Sequence, residues 1–249
     1  MFHLAANLTL LWPELAYADR FAAAAKAGFK YVEVLFPYGD ATAVTKAALA
    51  DHGLELILLN APAPDSDPRG FAAVTGGEAA FRQDMKVAFA CADTLGAKFI
   101  HVMTGTAQGV AAQQTLINNL IWASEQAPKG ITLTLEPLNP VSMPGYFLND
   151  YALAAAVLTA VGRANVALQY DCFHARMIHG DAVAVLRQYR DLIVHVQIGD
   201  APERGTPGSG DVDFEQVFAA LRGTGYSGWV SGEYHPAGRT EATLDWMRY

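Results

Sequence analysis

A (β/α)8 TIM barrel, closed by eight parallel strands and filling a single domain over residues 1–249, is the fold this chain predicts. Three observations point to it. An alanine-rich helical stretch, a glycine and a short apolar strand recur along the chain, and strict alternation of helix and strand implies a parallel sheet. Eight such strands can be counted, the number that closes a barrel. Four of them end on an oxygen-bearing side chain, at the end of the strand where barrel enzymes place their chemistry.

Taken in order, the first strand covers residues 4–7. The helix–glycine–strand unit then appears as Ala24-Ala25-Lys26-Ala27-Gly28 before strand 31–36, at Gly53 before 54–60, and at Gly96 before 98–103. It returns at Gly130 before 131–136 and at Gly162 before 166–171, and strands 192–197 and 229–233 complete the eight. Glycine is expected to supply the left-handed cap that ends each helix. Asn149 or Asp150 is placed to cap the helix that starts at Tyr151. Two loops are long, 61–77 after the third strand and 199–210 after the seventh, and such loops are usually functional or mobile. An open doubly wound sheet is the competing architecture. The glycine-rich phosphate fingerprint that would most often follow its first strand is missing from this sequence.

With 52% hydrophobic and 17% charged residues the chain can bury a large core. A net charge of -8 and a pI near 5.3 argue against a partner that is nucleic acid or an anionic membrane surface. Neither Cys91 nor Cys172 sits in a metal-type pair, and one disulfide makes no framework, so a reducing cytoplasm is expected. The N-terminal residues carry no basic region or cleavage signature of a secretory signal. No apolar run is long enough to span a bilayer. The sequence leaves a homo-oligomer open.

The segment Leu133-Thr134-Leu135-Glu136-Pro137-Leu138-Asn139 organises the chemistry. It begins as a strand and reaches a carboxylate just before Pro137 stops the ladder. Asp171, Gln197 and Glu233 end later strands in the same way. Three carboxylates and an amide on strands five to eight suit a hard divalent cation, Mg2+ or Mn2+, better than a structural zinc. Without a cation between them the three charges would repel and raise one another's pKa. Taken singly, each is as well explained as a strand-end residue bonding loop backbone; it is the set of four that favours a metal. His174 lies three residues after Asp171 and is expected to donate to substrate, the plain alternative being a helix-start histidine packed on the loop. His195 shares a strand face with Gln197 but lies deeper, which suits orienting a ligand as well as it suits plain packing. Asn7, Asn60 and His101 end or line inner strands and are candidate substrate contacts. Glu33, in mid-strand, reads as an interior carboxylate satisfied by neighbouring strand-end groups. Arg204, in a glycine-proline loop, could reach an anionic substrate, although a lone loop arginine is usually just solvated. Phe36-Pro37-Tyr38 is a candidate pocket wall.

Seven blocks of the sequence resemble the hydroxypyruvate isomerase family. They are Ala6-Asn7-Leu8, Val32-Glu33-Val34-Leu35-Phe36-Pro37-Tyr38, Glu136-Pro137-Leu138-Asn139, Pro144-Gly145-Tyr146, Gln169-Tyr170-Asp171-Cys172-Phe173-His174, His195-Val196-Gln197-Ile198 and Gly232-Glu233-Tyr234. That family is a branch of the xylose-isomerase-like barrels, beside the ketose 3-epimerases, and the resemblance runs essentially end to end. It implies that Glu136, Asp171, Gln197 and Glu233 bind a divalent metal, with no organic cofactor. It also implies that Glu136 and Glu233 form the acid/base pair, and that His174 and Arg204 contact substrate oxygens. The implied reaction interconverts hydroxypyruvate and tartronate semialdehyde by proton transfer through an enediolate. Glutamine as third ligand separates the group from the 3-epimerases.

The sequence also departs from that pattern. His235 stands where relatives tend to have lysine, and Ala61-Pro62-Ala63-Pro64 differs from the usual loop after Asn60. His101-Val102-Met103 and Asn60-Ala61-Pro62 lean toward the 2-oxo-tetronate isomerases. A 2-oxo-tetronate isomerase or a ketose 3-epimerase is therefore the alternative. Arg204, with His174 and His235 expected nearby, favours a small hydroxy-oxo acid over a neutral sugar. More distant readings are an endonuclease IV-like hydrolase, which would need a histidine-rich zinc cluster and a basic face, and a non-catalytic sugar or acid sensor, which should have lost Glu136 or Glu233.

Overall fold

The computed structural model describes residues 2–64 and 69–249. Part of the long loop expected after the third strand, Asp65-Ser66-Asp67-Pro68, lies outside the described residues. The eight strands are β1 (His3–Asn7), β2 (Tyr31–Glu33), β3 (Glu55–Asn60), β4 (Phe99–His101), β5 (Thr132–Leu135), β6 (Val166–Asp171), β7 (Ile193–Ile198) and β8 (Trp229–Gly232). They pair in sequence order, all parallel, and β1 pairs with β8 to close the barrel, as Ala6 meeting Gly232 shows. The helices are α1 (Tyr17–Lys26), α2 (Asp40–His52), α3 (Glu78–Leu95), α4 (Gly109–Gln126), α5 (Tyr151–Val161), α6 (Cys172–His179), α7 (Ala182–Tyr189) and α8 (Phe214–Gly223). Among the described residues no helix is long and apolar enough to cross a membrane.

Strict alternation breaks in two places. The crossover from β6 to β7 carries two helices, α6 and α7, while β8 is followed only by short 3-10 turns at Thr240–Thr243 and Asp245–Arg248. Pro236 and Gly238 disfavour a helix directly after Glu233. The 3-10 turns instead fold under the barrel rim, where Trp246 Nε1 donates to Tyr234 Oη at 3.1 Å and Trp12 N to Thr240 Oγ1 at 2.7 Å.

The glycine pattern holds for α2, α3 and α5, whose caps Gly53, Gly96 and Gly162 are left-handed. It needs correcting at α1 and α4, where Ala27 and Ala127 take the cap and Gly28 and Gly130 serve the turn beyond. Of the two cap candidates before Tyr151, Asp150 does the work, accepting from Ala152 N and Leu153 N.

The barrel interior is layered. Its floor is aromatic: the Trp229 ring meets Tyr31 and Phe99 edge-on, with centroids 5.8 and 5.5 Å apart. Above that floor the inward residues turn polar. Irregular registers between Val32 and Glu33 and between Leu168 and Gln169 set the height of those polar groups, leaving Gln169 beside His195 and Asp171 beside Gln197.

Candidate active site

Glu136 and Glu233 each follow directly on the last residue of a strand, β5 and β8, and Asp171 ends β6 while capping α6 through Phe173 N at 2.8 Å. Glu136, Glu233 and Gln197 line one pocket of about 180 Å³ together with Asn60, His101, Gln169, His174 and Arg204. Asp171 lies behind that wall, covered by Arg204. All four expected ligands are buried, Glu233 being the most open at 5% exposure.

Arg204 is the centre of the arrangement rather than a solvated loop residue. Its Nη2 lies 2.8 Å from Asp171 Oδ2 and 3.0 Å from Glu233 Oε2, its Nε donates to Glu233 O at 3.3 Å, and its Nη1 stands 3.0 Å from His174 Nε2. The guanidinium also covers the Phe173 ring at 5.1 Å. The backbone at Arg204 is left-handed, φ +52°, a conformation that costs an arginine roughly 1–2 kcal/mol. Its neighbours hold it there. Gly205 exchanges two backbone hydrogen bonds with Asp200, and His235 N donates to Arg204 O at 2.8 Å. The Asp200 carboxylate is buried and accepts from Gly208 N, Gly210 N, Val212 N and Ala201 N. The loop expected to be mobile is therefore wound around one carboxylate.

Beneath the mouth runs a polar chain. Thr134 Oγ1 donates to Gln169 Oε1, and Gln169 Nε2 donates to Glu136 Oε2 at 2.9 Å and to Gln197 Oε1 at 2.7 Å. Gln197 Nε2 in turn donates to Glu33 Oε2, which also accepts from Asn7 Nδ2, while Glu33 Oε1 meets His195 Nε2 at 2.5 Å. Glu33 thus lies behind Gln197 as a satisfied interior carboxylate, and His195 reaches Gln197 only through Glu33. Two other placements differ from expectation. Asn7 is consumed by Glu33 and by Thr9 N and does not line the pocket, and the side chain of His235 is exposed, touching the site through its backbone alone. Gln169 was not singled out, although its position two residues before Asp171 puts it on the same strand face. Asn60 and His101 do line the pocket, with Asn60 Oδ1 and His101 Nε2 buried and unpartnered.

Burial dominates the electrostatics. It pushes the Glu233 carboxyl up to about 8, with Arg204 pulling it down and Asp171 and Glu33 pushing it further up. Burial likewise raises Asp171 to about 6 against the pull of Arg204, and raises Glu136 well above its ordinary value with Glu233 and Asp171 adding to the effect. Burial works against the Arg204 charge too, but Glu233 and Asp171 outweigh it and keep the guanidinium charged. Burial drives His101 down to about 3 and His174 well below its usual value, so both rings are neutral.

The residues fit a divalent cation. Glu136 Oε1 is buried without a hydrogen-bond donor, Glu233 Oε2 is met by the Arg204 guanidinium at 3.0 Å, and carboxylate oxygens of Glu136 and Asp171 lie within 4.8 Å of one another. An oxygen-rich donor set with an orphaned carboxylate oxygen, that of Glu136, is what a hard cation satisfies. The geometry departs from expectation in grouping His174 with Glu136 and Asp171, while Arg204 ties Glu233 to Asp171.

Comparison with known proteins gives the family. The sequence profile of the xylose isomerase-like TIM barrel family matches residues 21–249. The chain belongs to that family. The 2-oxo-tetronate isomerase of Cupriavidus necator is 39% identical, with 100% of this chain and 98% of the relative covered. The hydroxypyruvate isomerase of Escherichia coli K12 is 37% identical over 99% of this chain and 98% of its own length. A crystal structure from Brucella melitensis, described as an AP endonuclease of family 2, superposes with a TM-score of 0.94 at 37% identity, covering 100% of this chain and 98% of that one. As a xylose isomerase-like barrel with such relatives, the protein is an isomerase.

Proposed function

We propose that the protein interconverts a small α-hydroxy ketone and α-hydroxy aldehyde that carry a carboxylate, in the first instance hydroxypyruvate and tartronate semialdehyde. One observation carries the reading. Two buried carboxylates just past the ends of β5 and β8, Glu136 and Glu233, share one small pocket with a charged arginine. One glutamate removes the carbon-bound proton and the other returns a proton to the neighbouring carbon, so an enediolate lies between them. Carboxyl groups whose proton affinity is raised toward neutrality suit both halves of that exchange. Arg204 and His174 turn nitrogens into the pocket and hold the substrate oxygens. Glu136, Asp171, Gln197 and Glu233 would hold Mg2+ or Mn2+, a Lewis acid offsetting the developing negative charge. No organic cofactor is called for, and two free buried cysteines suit a cytoplasmic setting.

A second reading, 2-oxo-tetronate as substrate, is favoured by the 39% identical relative and by space. A groove of about 450 Å³ bounded by Phe36, Tyr38 and Arg69 shares Asn60, Met103 and Met143 with the pocket, leaving room for one more carbon. Cutting of DNA is disfavoured by the net charge of -8. It is disfavoured further because, among the described residues, the one metal-type cluster holds a single histidine. The test compares hydroxypyruvate, 2-oxo-tetronate and a neutral ketose such as fructose, with Mg2+ or Mn2+ supplied, in wild type and Arg204→Ala. An acid is expected to have the highest kcat/KM, and the arginine loss to raise its KM selectively. A higher kcat/KM for the neutral ketose overturns the substrate class.

A further inference from the structure

Asn139, the last residue of the Glu136-Pro137-Leu138-Asn139 block, touches no expected ligand and is wholly buried. Its side-chain oxygen accepts from Val141 N at 3.1 Å and Ser142 N at 2.9 Å, two donors that can be nothing else. That settles which end of the amide is which. The NH2 end therefore faces the other way, toward Ser142 Oγ at 3.1 Å and His174 Nδ1 at 2.9 Å. The backbone N–H of Asn139 is aimed at the same ring nitrogen, also at 2.9 Å. One residue thus directs two donors at His174 Nδ1, and a hydrogen on that nitrogen would point into both.

The ring hydrogen must then sit on Nε2, on the pocket side. There Nε2 lies 3.9 Å from both Glu136 Oε1 and Asp171 Oδ2, and 3.0 Å from Arg204 Nη1. Arginine has no acceptor, so the last contact sets two N–H groups toward one another with no oxygen between them. Two donors converging from a ring and a guanidinium mark the place of an oxygen atom.

We propose that Asn139 is a positioning residue that fixes His174 as its Nε2–H tautomer, making the ring a standing donor to a substrate oxygen beside Arg204. The donor role rests on the isomerase reading of the pocket, whereas the tautomer rests on hydrogen-bond geometry alone. A consequence is that Nε2 has no lone pair for a cation, so His174 is not a metal ligand despite its closeness to Glu136 and Asp171.

The test uses the full-length protein with 15N-labelled histidine. The His174 signals are assigned by their loss in His174→Gln, and the tautomer is read from long-range 1H–15N correlations. In wild type Nδ1 is expected to be pyridine-like and Nε2 pyrrole-like. Asn139→Asp keeps an oxygen for the Val141 and Ser142 N–H groups but turns a second oxygen, an acceptor, toward Nδ1. It should draw a hydrogen onto Nδ1 and lower kcat at least about tenfold with less change in KM, as expected when a catalytic histidine is held in the wrong protonation pattern. Asn139→Ala keeps the backbone donor, should keep the Nε2–H form, and should retain more activity than Asn139→Asp. A role in the turn alone predicts the reverse order, since aspartate preserves the turn and alanine does not. A wild-type ring with its hydrogen on Nδ1, or an Asn139→Asp protein with unchanged ring signals, overturns the assignment. The ring signals need no substrate. Failure of the isomerase reading would thus appear as inactivity on every acid tested, with the tautomer still measured.

Discussion

Glu136 holds its two oxygens in different company. Oε2 accepts from Gln169 Nε2 at 2.9 Å and lies 3.4 Å from His101 Nδ1, while Oε1 meets no donor and is the oxygen free to take a proton. Glu136→Gln and Glu233→Gln should each lower kcat by roughly 10²–10⁴-fold, the usual worth of a positioned acid or base. Thermal unfolding of both should stay near wild type, because residues on this barrel face serve chemistry more than stability. Near-normal turnover in either variant would show that its glutamate moves no proton. Exhaustive chelation should abolish turnover and added Mg2+ or Mn2+ should restore it; full activity in demetallated protein would remove the cation from the account. Gln169→Leu should destabilise by about 1–3 kcal/mol, since Glu136 and Gln197 each lose a buried donor. Denaturant unfolding measures it.

At the level of elements, the loop 199–213 and its carboxylate decide where Arg204 goes. Asp200→Ala strands four N–H groups, those of Ala201 and Val212 buried, and should destabilise by about 1.5–3 kcal/mol, charged acceptors being worth more than neutral ones. Its signature is a raised KM for the acid substrate along with the lost stability, because Arg204 is freed. Gly199 belongs to the same device: a Cβ there would come within 2.8 Å of Glu233 O, so Gly199→Ala should push the loop off the end of β8. Much of the site was legible in the sequence for a simple reason. Residues that end a strand share one face of a barrel whatever the details of packing, which is why Glu136, Asp171, Gln197 and Glu233 could be named from spacing. Side chains fixed by loops were not legible. The placement of Arg204 depends on hydrogen bonds made by Asp200 eight and ten residues further on. The outward turn of His235 and the capture of Asn7 by Glu33 depend on neighbours brought close only by closure of the barrel. Gln169 was within reach, through parity with Asp171.

Across the whole molecule, closure brings Glu33 on β2 against His195 and Gln197 on β7, residues 162 and 164 positions apart in the chain. The apolar layer below supports that polar layer. Phe99 packs on Trp229 and also on the His195 ring, so Phe99→Ala should cost about 3–5 kcal/mol and loosen the groups behind Gln197 together. The eight strands were legible because their pattern is periodic, whereas the doubled helix between β6 and β7 and the 3-10 turns after β8 answer to local breakers and packing that alternation does not encode. The account as a whole rests on proton transfer at substrate carbon by a pair of glutamates facing one pocket. The most direct test is proton NMR in D2O, following loss of the carbon-bound hydrogen of hydroxypyruvate in metal-loaded wild type, Glu136→Gln and Glu233→Gln. Wild type should wash deuterium into that position, and at least one variant should lose exchange and isomerisation together. Exchange at the wild-type rate in both variants would contradict it.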